Sequence, residues 1–321
     1  MDTAYQQIQA ALQQQGPFLI VSHVNPDGDT IGSALAMAYI VQHFGGTFEL
    51  VNEGVIPSKY HFLPMADQIK RPADITSKYD KVIAVDCADK KRMGSQVLAC
   101  VEAEPIILIN IDHHPTNDLF GTINLIEPKA ASTTLVIYHL IKYLGIDLDQ
   151  NLALNLYTGL MTDTGSFKYS NTTEEVHLVT AELIRYGIDV YDVVDRIYET
   201  MSFAKLTLIK DALSTLQVDQ TGKIAWITVK VDRVDHSALA DDLDGLVNYP
   251  RSIEGVEVAI SFKVIDEHKT KVSFRSKKYV DVSKIAAGFG GGGHERAAGC
   301  TIDGALDVIM ETIISEITNF I

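Results

Sequence analysis

Three short apolar runs rich in β-branched residues each stop at a histidine or an aspartate. "PFLIVSH" reaches His23, "KVIAVDC" reaches Asp86, and "PIILINID" reaches Asp112 with His113 and His114 directly behind it. A further run, "TFELVN", passes Val51, and the stretch "IGSALAMAYIVQHF" after the first run has helical periodicity. Strands alternating with helices predict an α/β fold with a mainly parallel, doubly wound sheet covered on both faces. In such a sheet the strand carboxyl ends share one edge, and ligands bind there.

From about residue 130 to 216 the apolar spacing becomes three and four, which predicts helices in "STTLVIYHLIKYLG", "LALNLYTGLM" and "EEVHLVTAELIRYG". A second group of strands follows in "KIAWITVKV", "VEVAISFKVI" and "TKVSFRSK", then helical "DVSKIAAGF" and an amphipathic closing segment. A chain of 321 residues exceeds one ordinary core. The predicted organisation is a first domain over 1–190, a helical linker over 191–215 and a smaller α/β domain over 216–321.

The acidic strand ends raise an electrostatic problem. Asp27 and Asp29 stand just beyond His23, Asp86 ends its own strand, and "TGLMTDTGSF" brings Asp163 after a helical segment. Carboxylates crowded on one edge repel each other and are pushed towards protonation. Divalent cations remove that penalty. Asp27, Asp29, Asp86 and Asp163 supply the charge that two such ions neutralise, and His23 and His113 add neutral nitrogen ligands. Carboxylate with imidazole and no thiolate suits Mn²⁺, with Mg²⁺ or Co²⁺ as possible substitutes. Two ions roughly 3.5–4 Å apart hold a hydroxide and clamp phosphoryl oxygens, which is phosphoester hydrolysis.

Composition limits the partners. A net charge of −15 argues against wrapping long nucleic acid, whose backbone is bound by many Lys and Arg. The three cysteines, Cys87, Cys100 and Cys300, have no C-x-x-C spacing, so neither a disulfide framework nor a thiolate zinc site is indicated. No apolar stretch is long enough for a bilayer and the first residues lack a signal pattern, so no membrane association and a cytoplasmic location are expected.

The ordered clusters "HVNPDGD", "VDCAD", "IDHHP" and "TDTGSF", followed by "GGGGHERAAG" over Gly290 to Gly299, closely resemble the DHH phosphoesterase superfamily across nearly the whole chain. The two-domain layout is similar to its nano-RNase and pAp phosphatase members. These degrade RNA oligomers of a few nucleotides to mononucleotides and convert 3'-phosphoadenosine 5'-phosphate (pAp) to AMP and phosphate. The resemblance implies a DHH domain and a DHH-associated domain facing each other across a cleft. It assigns His23 and Asp27 to one Mn²⁺ and Asp29, His113 and Asp163 to another, with Asp86 bridging. It also implies that Asp112 orients His113 from behind, that His114 acts near the scissile phosphate, and that a homodimer is possible.

The glycines before "HERAA" free the backbone to expose successive N–H groups, a nest suited to phosphate oxygens. The resemblance makes Gly291, Gly292, Gly293 and His294 substrate-binding, with Arg296 a weaker candidate. Arg275 in "SFRSK" resembles the family's substrate-binding arginine, able to grip a phosphate through two parallel hydrogen bonds. One departure concerns "KAASTTLVIYHL", where Ala131, Ser132 and Leu135 occupy a region in which the family often has a Ser-Ser pair and a glutamate. Related readings are a phosphodiesterase for cyclic di-AMP or pApA and, from a different class, a non-catalytic nucleotide or RNA binder.

Overall fold

The computed structural model describes residues 2–101, 107–230 and 245–321; Pro105 and Ile106 of the third run, and Val231 of a later one, lie outside them. The chain divides into two compact units, Met1–Thr200 and Met201–Ile321.

In the first unit six strands form one sheet: β1 (Pro17–Ser22), β2 (Thr47–Val51), β3 (Ile69–Lys70), β4 (Lys81–Val85), β5 (Ile107–Asp112) and β6 (Ile123–Ile126). Their order is β3-β2-β1-β4-β5-β6, and every pairing is parallel. Alternate residues of each strand feed opposite faces. Phe18, Ile20, Ile83, Val85, Ile109 and Ile111 join the larger core, while Leu19, Val21, Val82, Ala84 and Leu108 join the smaller one. Burial on both faces is why these runs read as continuously apolar.

The helices of this unit are α1 (Asp2–Gln13), α2 (Gly28–His43), α3 (Ser95–Cys100), α4 (Thr133–Leu144), α5 (Gln150–Asp163), α6 (Glu174–Ile184) and α7 (Val190–Val194). α2 is buried along almost its whole length. A Cβ on Gly32 would meet the Asn155 carbonyl, and one on Gly28 or Gly159 would run into Thr162 or Thr134, so these glycines permit the close approach of α2 to α5 and α4. Asp29, at the start of α2, and Asp163, at the end of α5, thereby reach the same place.

The second unit contains α8 (Phe203–Leu213) and a six-stranded mixed sheet of β7 (Gln217–Val218), β8 (Ile224–Lys230), β9 (Val258–Asp266), β10 (Lys269–Ser276), β11 (Gly292–His294) and β12 (Ala297–Asp303). The order is β11-β12-β10-β9-β8-β7, antiparallel except for β8 with β9. Helices Val282–Gly288 and Leu306–Thr318 contribute to the main core, where Trp226 packs. The stretch read as a helical linker, 191–215, is divided between the units. α7 and the π-helical turn behind it belong to the first unit, while Leu208, Ile209 and Ala212 of α8 pack with Ile227 and Val229 of β8.

Candidate metal centre

The strand ends β1, β4 and β5 lie side by side, with Ser22 opposite Val85 and Val85 opposite Ile111. The next residues, His23, Asp86 and Asp112, therefore stand at one level on the carboxyl edge. Asp86 has a left-handed backbone, φ 58°, a conformation that aspartate tolerates better than most residues. Its N–H donates to the Ile111 carbonyl at 3.0 Å, fixing the turn.

Three overlapping donor groups result, each with its ligand atoms within 4.8 Å of one another: His23, Asp27 and Asp86; Asp29, His113 and Asp163; Asp86, His113 and His114. His23 Nε2 lies 3.3 Å from Asp86 Oδ2, and His113 Nε2 lies 3.5 Å from Asp163 Oδ2 and 3.9 Å from Asp86 Oδ1. All six residues expected as ligands come together, and Asp86 is common to two groups. His114 is also in ligand range of Asp86. Among the described residues Asp86 and Asp163 have histidines within ion-pair distance, and none of the four carboxylates has a lysine or arginine there. Carboxylate and imidazole donors gathered in this way fit a divalent cation.

Burial governs the protonation of the site. It pushes the Asp29 carboxyl up to about 7, with the Asp86 charge adding to the shift. Burial and then the Asp29 charge push Asp163 up to about 8. Burial would raise Asp86 as well, but the hydrogen bond and charge of His23, then the charges of His113 and His114, outweigh it and hold Asp86 well below the usual carboxylate range. For His23 and His113 burial opposes protonation, yet their carboxylate neighbours prevail and both are raised. The cluster keeps protons that separated side chains would release.

The polar surroundings of the ligands are specific. Asp29 accepts from the N–H groups of Thr133 and Thr134 at 2.7 and 2.9 Å, so the same carboxylate closes the amino end of α4. Thr133 Oγ1 donates to Asp86 Oδ1 at 2.9 Å and Thr30 Oγ1 to Asp86 Oδ2 at 2.7 Å. Asp112 was expected behind His113, and the structure corrects this: Asp112 Oδ1 accepts from His114 Nδ1 at 2.7 Å, while His113 Nδ1 faces the Ala130 carbonyl at 3.2 Å. Ser132 caps α4, and Leu135 is buried in the core, so the departure in that stretch places no extra carboxylate near the ligands.

In the second unit Arg275 of β10 and His294 of β11 both pair with Ala297 of β12. Directly paired residues project from the same face, so Arg275 and His294 flank a small residue on the face opposite Val272, Phe274, Ala298 and Cys300 of the core. Arg275 Nη1 donates to the Phe274 carbonyl at 2.9 Å. The end of the glycine run forms the edge strand β11. The N–H groups of Gly290 and Gly291 bond the Ala287 and Ala286 carbonyls at 3.1 and 2.8 Å, and Gly292 and Gly293 pair with β12. Arg296 Nη1 donates to the Val280 carbonyl at 2.8 Å, which holds a loop of this unit.

Comparison with known proteins agrees with both halves. Residues 17–160 match the DHH family, N-terminal domain, and residues 225–319 match the DHHA1 domain. A bifunctional oligoribonuclease and PAP phosphatase NrnA from Thermus thermophilus is 33% identical over 310 residues, 95% of this chain and 91% of that protein. The chain belongs to the DHH phosphoesterase family. The protein of the same name from Bacillus subtilis is 28% identical over 287 residues, covering 87% of each chain. The crystal structure of an exopolyphosphatase-related protein from Bacteroides fragilis superposes with a TM-score of 0.88 at 26% identity, covering 98% of this chain and 95% of that one.

Several polar residues of this DHH phosphoesterase site escaped the sequence reading. Thr30, Thr133 and Thr134 bond the ligand carboxylates. Asn117 Nδ2 donates to Asp112 Oδ2 at 2.7 Å, and Arg92 Nη1 lies 3.4 Å from His114 Nε2. Isolated threonines, asparagines and arginines carry no spacing signal. "DKKRMG" directly after "VDCA" was the available hint, because it keeps a basic residue near the strand edge. Among the described residues no helix is long and apolar enough to cross a membrane.

Proposed function

We propose that this chain hydrolyses RNA oligomers of about two to five nucleotides to mononucleotides, and pAp to AMP and phosphate, using two Mn²⁺ ions. The observation that carries the reading is the set of overlapping His/Asp donor groups sharing Asp86 on one sheet edge. The names of the Thermus and Bacillus relatives support the substrate class. His23, Asp27 and Asp86 would hold one ion, and Asp29, His113, Asp163 and Asp86 the other. Bound there, divalent cations would neutralise the carboxylates, polarise phosphoryl oxygens and acidify an attacking water.

The chain's own residues supply the rest. Asp112 fixes the ring of His114, which is positioned to stabilise charge or pass a proton near the scissile phosphate. Arg275 and His294, with Gly291, Gly292 and Gly293 beside them, are the second unit's substrate-binding residues in this reading. An acidic surface offers little to a longer backbone, so very short oligomers are favoured.

The test is a product time course with Mn²⁺ on pAp, pApA, RNA dimers to pentamers, a longer RNA and cyclic di-AMP at equal concentration. Mononucleotides from the dimers together with phosphate from pAp are expected. Strong turnover of cyclic di-AMP with pAp untouched would overturn the substrate assignment.

A further inference from the structure

We infer that Arg92 is a substrate-binding residue of this centre, gripping an oxygen of the reacting phosphoryl group. The inference rests on the phosphoesterase reading above and adds a residue to it. Arg92 is half-buried in the short helical turn Lys90–Met93 that follows β4. Asp89 Oδ1 accepts from Lys91 N–H at 2.8 Å and Arg92 N–H at 3.2 Å, and the Arg92 carbonyl accepts from Val24 N–H at 2.9 Å. The turn is thus tied to the loop that carries His23 and Asp27. Those contacts use the backbone of Arg92 and would survive a change of its side chain.

The guanidinium meanwhile points at the site. Its Nη1 lies 3.4 Å from His114 Nε2, long for a hydrogen bond, and among the described residues no carboxylate lies within ion-pair distance of it. His114 does not need Arg92 for orientation, because Asp112 already holds the other ring nitrogen at 2.7 Å.

Charge balance gives this cation a purpose. About four carboxylates with two divalent ions are neutral, so an entering phosphoryl group brings negative charge that the cluster leaves uncompensated. A guanidinium fixed at the rim offers several donors in a rigid plane that matches two phosphoryl oxygens. A lysine in the same turn would offer a point charge without that geometry.

The experiment uses the full chain with Mn²⁺ and measures KM for pAp, the inhibition constant of inorganic phosphate, and Mn²⁺ affinity by calorimetry. The proteins compared are the wild type, Arg92→Gln, Arg92→Lys and, as a charge control on an exposed neighbour, Lys91→Ala. Arg92→Gln is expected to weaken phosphate inhibition and raise KM about 10- to 100-fold, the size of a charge-assisted contact, with Mn²⁺ affinity unchanged. Arg92→Lys should recover part of the loss, and Lys91→Ala should stay within about twofold of wild type. Unchanged KM and phosphate inhibition in Arg92→Gln would overturn the inference, as would a parallel loss of Mn²⁺ affinity. A wild type that cleaves none of these substrates and does not bind phosphate would overturn the proposed function too; an active wild type with indifferent Arg92 variants sinks only the role of Arg92.

Discussion

His114 Nδ1 donates to Asp112 Oδ1 at 2.7 Å, so the first and third residues of the Asp-His-His triplet hold each other while the middle one faces Asp163. A carboxylate only accepts, which puts the ring proton on Nδ1 and leaves the Nε2 lone pair towards Arg92. Asn117 donates to the other oxygen of Asp112 and fixes which way that group points.

Asp112→Asn should therefore invert the tautomer. With Asn117 still donating to the amide oxygen, the new NH₂ faces Nδ1 and forces the proton to Nε2. The expected result is a fall in kcat of about 10²- to 10⁴-fold with Mn²⁺ affinity retained, since the metal ligands keep their contacts. Steady-state kinetics, calorimetry and ¹⁵N signals of the ring check this; a kcat within threefold of wild type would remove the dyad from the reaction.

Thermal stability without metal should fall as pH rises from about 5 to 9. Asp29 and Asp163 have folded pKa values of about 7 and about 8, above their unfolded values near 4, so their contribution is complete in acid and is lost as pH climbs through the folded values. His23 and His113 are raised too and act in the same direction. Asp86 acts oppositely, but its contribution is lost only on acidification below about pH 4. Divalent cations bind the deprotonated ligands, so the rise in melting temperature on adding Mn²⁺ should grow with pH. Equal rises at pH 5.5 and 8.5 would contradict the linkage.

Much of this architecture was legible because each apolar strand terminates in a residue that cannot stay in the core. His23, Asp86 and Asp112 marked the sheet edge without any tertiary information. The place of Asp163 was harder to read, since it depends on how closely α5 approaches α2 and α4, and that rests on Gly28, Gly32 and Gly159. Which of two adjacent imidazoles Asp112 would hold depends on backbone direction after β5, not on spacing, and the expectation chose the wrong one. The glycine run showed its conformational freedom but not its pairing partner β12, because strand pairing of glycines leaves no apolar alternation to read.

Asp163→Asn should separate stability from metal binding. Asparagine resembles the protonated acid, so below pH 7 the metal-free variant should match wild type. Above pH 8 it should melt higher, by about 2–4 °C for each kcal/mol of ionisation penalty removed. The stabilisation by Mn²⁺ should shrink or vanish at every pH. Differential scanning calorimetry with and without Mn²⁺ measures both, and a variant with full cation response would exclude Asp163 from the ligand set.

Gly292 and Gly293 offer a closing contrast within one strand. Gly293 has φ +144°, and a Cβ there would stand 2.5 Å from the Ala297 carbonyl oxygen and 2.6 Å from Ala298 Cα, so Gly293→Ala should destabilise the second unit by about 1–3 kcal/mol. At Gly292 a Cβ would meet nothing within 4 Å among the described residues, whose packing does not require glycine there. If that space receives substrate, Gly292→Ala should leave the melting temperature unchanged and raise KM for pAp several-fold. Unfolding curves and kinetics on the two variants separate the cases. A Gly292→Ala enzyme with wild-type KM would mean that the glycine edge serves β-pairing alone, and that substrate binding in this unit falls to Arg275 and His294.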